Sequence, residues 1–262
     1  MDAAELVRLA EEIAREAGEL ARRRREEGVR IAATKSALAD IVTDADREVE
    51  ARIRARLAAA RPEDGFLGEE SGAERGTSEV TWVVDPIDGT VNYSYGIPHY
   101  AISIAAVTGE PVPQKWTIEA GVVFSPVIGE LFHAARGTGA WLGDRRLQVS
   151  TPTDAGALVA TGFGYDPATH AGDLERVRRV MPLARDLRRA GAASLDLAYV
   201  AAGRLDAYFE RGLYPWDHAA GGVLVTEAGG VIGGEPDGFP GREMTIAASP
   251  ELFHQIHSAI YR

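Results

Sequence analysis

Apolar positions Leu6, Leu9, Ile13, Ala17 and Leu20 recur at helical spacing, which predicts a long amphipathic helix over residues 3 to 27. Asp2 stands where an N-cap belongs, with Glu5 at N3, and Gly28 where the helix must stop. Val29 to Ala33 reads as a short strand. Thr43 is a good N-cap for a second helix, with Val49, Ile53 and Leu57 inward and Pro62 beyond its end. The pattern then shortens. Phe66-Leu67-Gly68 and Val80 to Val84 read as strands, with a polar loop over 72 to 79 between them. Pro86 fixes its own φ and ends the second ladder, and a helix start follows at Asp88-Gly89-Thr90. Ala101 to Val107, Ala120 to Phe124, Glu130 to Ala134 and Ala140 to Val149 alternate as an antiparallel meander, with one hairpin turn at Gly143-Asp144. Gly109 to Glu119 is left as a long connection.

The second half changes character. Leu158 to Phe163 reads as a strand and Asp173 to Leu187 as a helix, with Asp186 to Arg189 as its end or a short strand. Ser194 to Ala202 is helical, Leu205 to Glu210 a strand, and Pro215 opens a helix that runs to Ala228. Met244 to Ala248 is a strand, and Pro250 to Tyr261 a closing helix. Strands alternating with helices predict an α/β chain, a mixed sheet covered by helices. The expected organisation is one domain over residues 1–262, with halves at about 1–150 and 151–262.

Composition narrows the function classes. The chain has 262 residues, 45% of them hydrophobic, enough for a sizeable core. No long apolar run predicts a membrane span. The first residues lack the basic and apolar regions of a signal peptide, and there is no cysteine, so a cytoplasmic protein without disulfides or thiolate metal sites is expected. A net charge of −11 argues against a nucleic-acid surface. The basic run Arg22 to Arg25, followed by Glu26-Glu27, reads as a solvated helix face.

The chemistry sits at the ends of elements. Asp85 and Asp88 are three residues apart on a stiff turn and can converge on one cation, while N–H groups around Gly89 and Thr90 can face an anion. An ordinary loop in which both acids cap backbone groups is the plain alternative. Glu69-Glu70 follows a strand, Asp46 lies in a first helical turn and Asp217 opens a helix. Each alone is explained by solvation or capping. Together they place acids where active sites are built. Carboxylates about 4 Å apart repel by roughly 4 kcal/mol at an effective dielectric of about 20, so such a cluster calls for cations. With oxygen donors only, and no Cys or paired-His spacing, Mg²⁺ or Mn²⁺ is favoured over Zn²⁺. His218 beside Asp217 reads as packing or surface.

These motifs carry a resemblance. Asp85-Pro86-Ile87-Asp88-Gly89-Thr90 and Trp216-Asp217-His218-Ala219-Ala220-Gly221 resemble the two signatures of the inositol monophosphatase family. Gly68-Glu69-Glu70-Ser71 and Asp40-Ile41-Val42-Thr43-x-x-Asp46 match its intervening motifs, and the similarity runs from the first helix to the last. The resemblance implies a layered α-β-α-β-α sandwich, a homodimer, and a lithium-sensitive phosphatase with two or three Mg²⁺ ions. Glu69, Asp85 and the Ile87 carbonyl would hold a first metal, and Asp85, Asp88 and Asp217 a second. Glu69, partly through water, would help hold a third. Thr90 and Asp46 would activate the attacking water, with Glu70 in the outer shell. Gly89 and Thr90 would face the phosphate. Gly191, Ala192, Ala193 and Glu210 fall where the family contacts the alcohol, and Lys35 matches a loop lysine near the site. The departures are Val91, where Thr is more usual, and the Gly109 to Glu119 connection.

The expected reaction is therefore hydrolysis of a phosphate monoester, myo-inositol phosphate first. The same chemistry on fructose 1,6-bisphosphate, histidinol phosphate or a nucleotide phosphate is the alternative. No basic cluster for a second phosphate stands out. A regulator that binds RNA or a polymerase is a third reading, which the acidic balance disfavours.

Overall fold

The computed structural model describes residues 2–29, 31–34, 41–151, 153 and 155–262. Lys35 and Asp40 lie outside them.

Helix α1 (Ala3–Glu27) has the bounds its stripe and caps predict. Asp2 accepts from the Ala4 N–H, and Gly28 leaves the helix at a φ of 110°. Strands β1 (Ile31–Thr34) and β2 (Ile41–Thr43) pair antiparallel and lead into α2 (Asp44–Ala60), capped by Thr43 as expected. Val49, Ile53 and Leu57 are buried.

Strand β3 (Gly65–Gly68) folds back on β4 (Gly72–Glu74), so the expected polar loop begins with a short strand. Strand β5 (Val80–Asp88) does not end at Pro86. The ladder to β6 (Ala101–Gly109) breaks between Asp85 and Asp88, where Pro86 has no N–H to give, and resumes at Asp88. Helix α3 (Thr90–Tyr95) lies in that connection. The expected meander continues with β7 (Trp116–Ser125), β8 (Glu130–Ala135), β9 (Gly139–Leu142) and β10 (Arg145–Arg146). Residues 116–119 belong to β7, so the connection expected over 109–119 is shorter. The stretch read as Ala140 to Val149 splits at Gly143-Asp144 into β9 and β10.

After β11 (Ala157–Thr161), helix α4 (His170–Val180) stops well before Leu187. Pro182 removes a helical donor, and a 3₁₀ turn, Met181–Leu183, feeds β12 (Ala184–Arg188). Then come α5 (Ala193–Ala201), β13 (Ala207–Glu210), α6 (Pro215–Glu227), β14 (Val231–Gly233), β15 (Thr245–Ala248) and α7 (Pro250–Tyr261). Strand β14 was not foreseen, because three residues are too few to show an alternation.

Among the described residues one sheet has the order β10-β9-β8-β7-β6-β5-β3-β4 and the other β12-β11-β13-β15-β14. The first is antiparallel except for β3 and β5, which run parallel with Gly68 opposite Val84. Three apolar layers hold the stack. Val80, Trp82 and Val84 of β5 join Leu6 and Ile13 of α1 and Ile53 of α2. Val83, on the opposite face, joins Leu195 and Leu197 of α5 and Val223 and Leu224 of α6. Val159, Phe209 and Ile246 of the second sheet pack on Leu252 and Ile256 of α7. The result is the α-β-α-β-α sandwich. Its central layer is thin because small residues meet there: a Cβ on Gly121 would come 2.9 Å from Ala220 Cα.

Candidate active site

The parallel pairing of β3 and β5 brings both strands out at one edge. Glu69 follows β3 there, and its N–H bonds the Val84 carbonyl at 3.2 Å, which sets it beside Asp85. Helices α2, α3, α5 and α6 deliver Asp46, Thr90, Ala193 and Asp217 in or at their first turns, and β13 ends at Glu210.

A cavity of about 350 Å³ opens at this edge. Glu69, Asp85, Asp88 and Asp217 line it together with Ile87. Gly89, Thr90, Gly191, Ala193 and Glu210 complete the residues that the sequence brings to its wall. Asp46 lies behind Thr90. Ala192 is buried in the apolar layer between the sheets and is not part of the wall, and Glu70 lies next to Glu69 outside it. Phe163, Tyr165, Tyr214 and the cation Arg189, which the sequence does not point to, also line the cavity, as does Arg211 beside Glu210. Arg211 comes to the wall beside Glu210, six residues before Asp217, while Arg189 is carried there by the fold from a stretch with no acidic motif.

The acids are held by backbone donors. Asp85, 2% exposed, accepts from the Ile87 N–H at 3.0 Å. Asp88 accepts from the Ser194 N–H at 2.7 Å, the Ser194 hydroxyl at 2.5 Å and the Ala193 N–H at 3.2 Å, so it caps α5. Asp217 accepts from the Tyr214 N–H at 2.7 Å. Capping and lining are thus the same side chain's work, for Asp88 and Asp217 alike. Burial, and then the charges of Glu69, Asp88 and Asp217, push the Asp85 carboxyl well above the usual carboxylate range. Burial raises Asp88 to about 6 against the hydrogen bonds from Ser194. Burial and then Asp88 and Glu69 raise Asp217.

Among the described residues no three acids or histidines close around a single point as a finished ligand shell. The like charges are spread along the wall, those of Asp85, Asp88 and Asp217 on neutral N–H donors. The donor set nonetheless fits a hard divalent cation. It is all oxygen, each carboxylate keeps unused lone pairs, and a 2+ charge offsets the repulsion that raises Asp85 and Asp217.

Asp46 is 1% exposed. One of its oxygens accepts from the Thr43 N–H at 2.7 Å and the Thr43 hydroxyl at 2.5 Å. The other stands 3.2 Å from the Thr90 hydroxyl, which also lies 3.1 Å from the Ile87 carbonyl. Burial raises Asp46 to about 6, opposed by the Thr43 hydrogen bonds. Gly89 has a φ of 93°, and a Cβ there would come 3.0 Å from the His99 carbonyl, so only glycine suits this turn. Asn92 ties the same turn to the loop that enters α5, donating to the carbonyls of His99 and Ala190 at 2.8 Å. Glu210 accepts from the Tyr208 hydroxyl at 2.6 Å, and burial raises it to about 7. Gly162 leaves room for its carboxylate. Arg211 faces Glu243 at 3.6 Å, while the Arg189 charge moderates Glu210. His218 is buried edge-on against Trp116, the packing role expected of it.

Known proteins share this fold and much of this sequence. The family model described as the inositol monophosphatase family matches residues 2–260. An inositol-1-monophosphatase of Rhizobium meliloti is 47% identical over 195 residues, 73% of this chain and 71% of that protein. The Nus factor SuhB of Escherichia coli is 42% identical over 230 residues, 87% of this chain and 84% of that protein. The crystal structure of the extragenic suppressor protein suhB from Bartonella henselae superposes with a TM-score of 0.90 at 37% identity, covering 98% of this chain and 99% of the other. That family of phosphatases is generally Mg²⁺-dependent, and with its model matched over nearly the whole chain, the chain belongs to the inositol monophosphatase family.

Proposed function

We propose that the protein hydrolyses a phosphate monoester of a small polyol, myo-inositol monophosphate first, with Mg²⁺ held by Glu69, Asp85, the Ile87 carbonyl, Asp88 and Asp217. The observation that carries the reading is the Thr90 hydroxyl, backed by buried Asp46, in the wall of a cavity that Glu69, Asp85, Asp88 and Asp217 also line. Bound Mg²⁺ would supply charge neutralisation and Lewis acidity at the phosphate. The chain's own groups do the rest. Asp46, locked by Thr43, accepts the proton of the Thr90 hydroxyl, which frees that oxygen to take a proton from water. Gly89 and Thr90 turn N–H groups toward the phosphate. Attack by water leaves no phosphorylated side chain. The family includes relatives named inositol-1-monophosphatase, which favours inositol as the alcohol. Phosphate release across inositol phosphates, fructose 1,6-bisphosphate, histidinol phosphate and nucleotide monophosphates, with and without EDTA, tests this. Preference for the bisphosphate, or turnover in EDTA, rejects it.

Glu210 reads the alcohol in this proposal, as an acceptor for polyol hydroxyls. Glu210→Gln should lower kcat/KM for inositol phosphate by the factor equivalent to about 1.5–3 kcal/mol, one charged hydrogen bond. It should leave p-nitrophenyl phosphate, which has no hydroxyls, nearly unchanged. Equal losses on both substrates would assign Glu210 to the fold or the metals instead. A homodimer is the expected assembly, measurable by sedimentation. A second reading follows from the relative named a Nus factor: a binding role beside the hydrolysis. A pull-down with RNA polymerase tests it, and a variant without turnover that is still retained would separate the two roles.

A further inference from the structure

We infer that Glu50 is a positioning residue of the active site, whose buried carboxylate fixes the backbone of Glu69 to Ser71 and thereby the aim of Glu69. The inference deepens the reading above and rests on Glu69 as a metal carboxylate. Glu50 lies one turn beyond Asp46 on α2, at the i+4 spacing that puts both on one face. It is 2% exposed. One of its oxygens accepts from the Glu70 N–H at 2.8 Å and the other from the Ser71 N–H at 2.7 Å. The Glu69 N–H is already taken by the Val84 carbonyl. Three successive amides are therefore held, the first by β5 and the next two by one side chain on α2.

The residue types fit that task. Only a carboxylate of this length offers an acceptor to each of two adjacent N–H groups. Gln would offer one oxygen and turn its own N–H₂ group against the second amide. Gly68 keeps the approach open, since a Cβ there would come 2.5 Å from Glu50 Oε2. Helix α2 then carries two fixed prongs: Asp46 reaches the hydroxyl of Thr90, and Glu50 reaches the turn that carries Glu69. A rigid helix sets the distance between the water-activating pair and the first metal carboxylate, which loops alone would leave loose.

The test is Mg²⁺ titration calorimetry together with hydrogen exchange on full-length wild type, Glu50→Gln, Glu50→Ala and Leu57→Ala. Partners behind metal ligands change metal affinity by about 10–100-fold. Glu50→Gln should weaken Mg²⁺ about tenfold and Glu50→Ala more. The amides of residues 70 and 71 should lose protection, while kcat at saturating Mg²⁺ falls less than the affinity. Leu57→Ala, a core change on the same helix, should lower Tm without moving the Mg²⁺ Kd. If Glu50→Ala does not fold, the near-isosteric Gln variant decides. Unchanged Mg²⁺ affinity in folded Glu50→Gln, or a Kd shift of the same size in Leu57→Ala, overturns the inference and leaves the phosphatase reading standing. Wild type that binds no Mg²⁺ overturns both.

Discussion

Asp85→Asn is expected to be more stable than the wild type in EDTA and nearly inert in Mg²⁺. The two effects share one cause. Asp85 is buried among Glu69, Asp88 and Asp217, and both burial and those charges disfavour its ionised form. Asn keeps the shape and the oxygen that receives the Ile87 N–H, and removes the charge. Without metal, the folded state loses a repulsion. A gain of about 1 kcal/mol would raise Tm by about 2–4 °C in a chain of this size. The sign with pH follows from the raised carboxyl. Both folded and unfolded Asp85 are protonated in strong acid, where the swap costs little. Above the unfolded value only the folded state resists ionisation, so the gain should be larger at pH 8 than at pH 5. In the proposed site Asp85 would be one of the carboxylates that hold Mg²⁺, so with Mg²⁺ turnover should fall about 10²–10³-fold or more. Thermal unfolding in EDTA at both pH values and Mg²⁺ calorimetry check this. A lower Tm with unchanged Mg²⁺ affinity would assign Asp85 to the fold alone.

Thr90→Ala and Asp46→Asn should each lower kcat by about 10²–10⁴-fold while changing KM far less. The hydroxyl of Thr90 stands 3.2 Å from Asp46, and Asp46 is pinned from behind by Thr43. In the proposed relay the two groups act as one unit, so the double variant should be little worse than either single one. Losses that multiply would show that the two act separately. Asp46→Asn also turns an amide toward the Thr43 N–H that the carboxylate now accepts, so its Tm must be read beside its kcat. Thr90→Ala carries no such cost and is the cleaner measure.

What the sequence could reveal depended on how far each signal reaches along the chain. Helices with a stripe and two caps, such as Ala3–Glu27, were legible almost to the residue. Prolines misled in both directions. Pro86 was read as a strand end, yet a bulge absorbs its missing donor and β5 runs on to Asp88. Pro182 was passed over, yet it ends α4 and releases β12. At the site, the acids were visible because each stands beside a local breaker. Their holders were not. Ser194 reaches Asp88 across 106 positions, and Glu50 reaches Ser71 from the middle of a helix whose apolar stripe drew attention elsewhere. Arg189, at the end of a stretch read as either a helix end or a short strand, gave no hint that it lines the cavity with the acids.

The clasp of Asp88 on Ser194 and Ala193 joins the end of one sheet to the helix layer against the other. It makes the two acids of Asp85-Pro86-Ile87-Asp88 unequal in inheritance. A descendant that abandoned hydrolysis would be free to lose Asp85, since in the absence of metal its charge only burdens the fold. The same descendant would be held to Asp88, because the first N–H groups of α5 would lose their acceptor. If the proposed site is right, the first acid is in such a lineage a record of catalysis and the second a record of assembly, and a surviving second acid by itself says nothing about whether a relative still turns over phosphate.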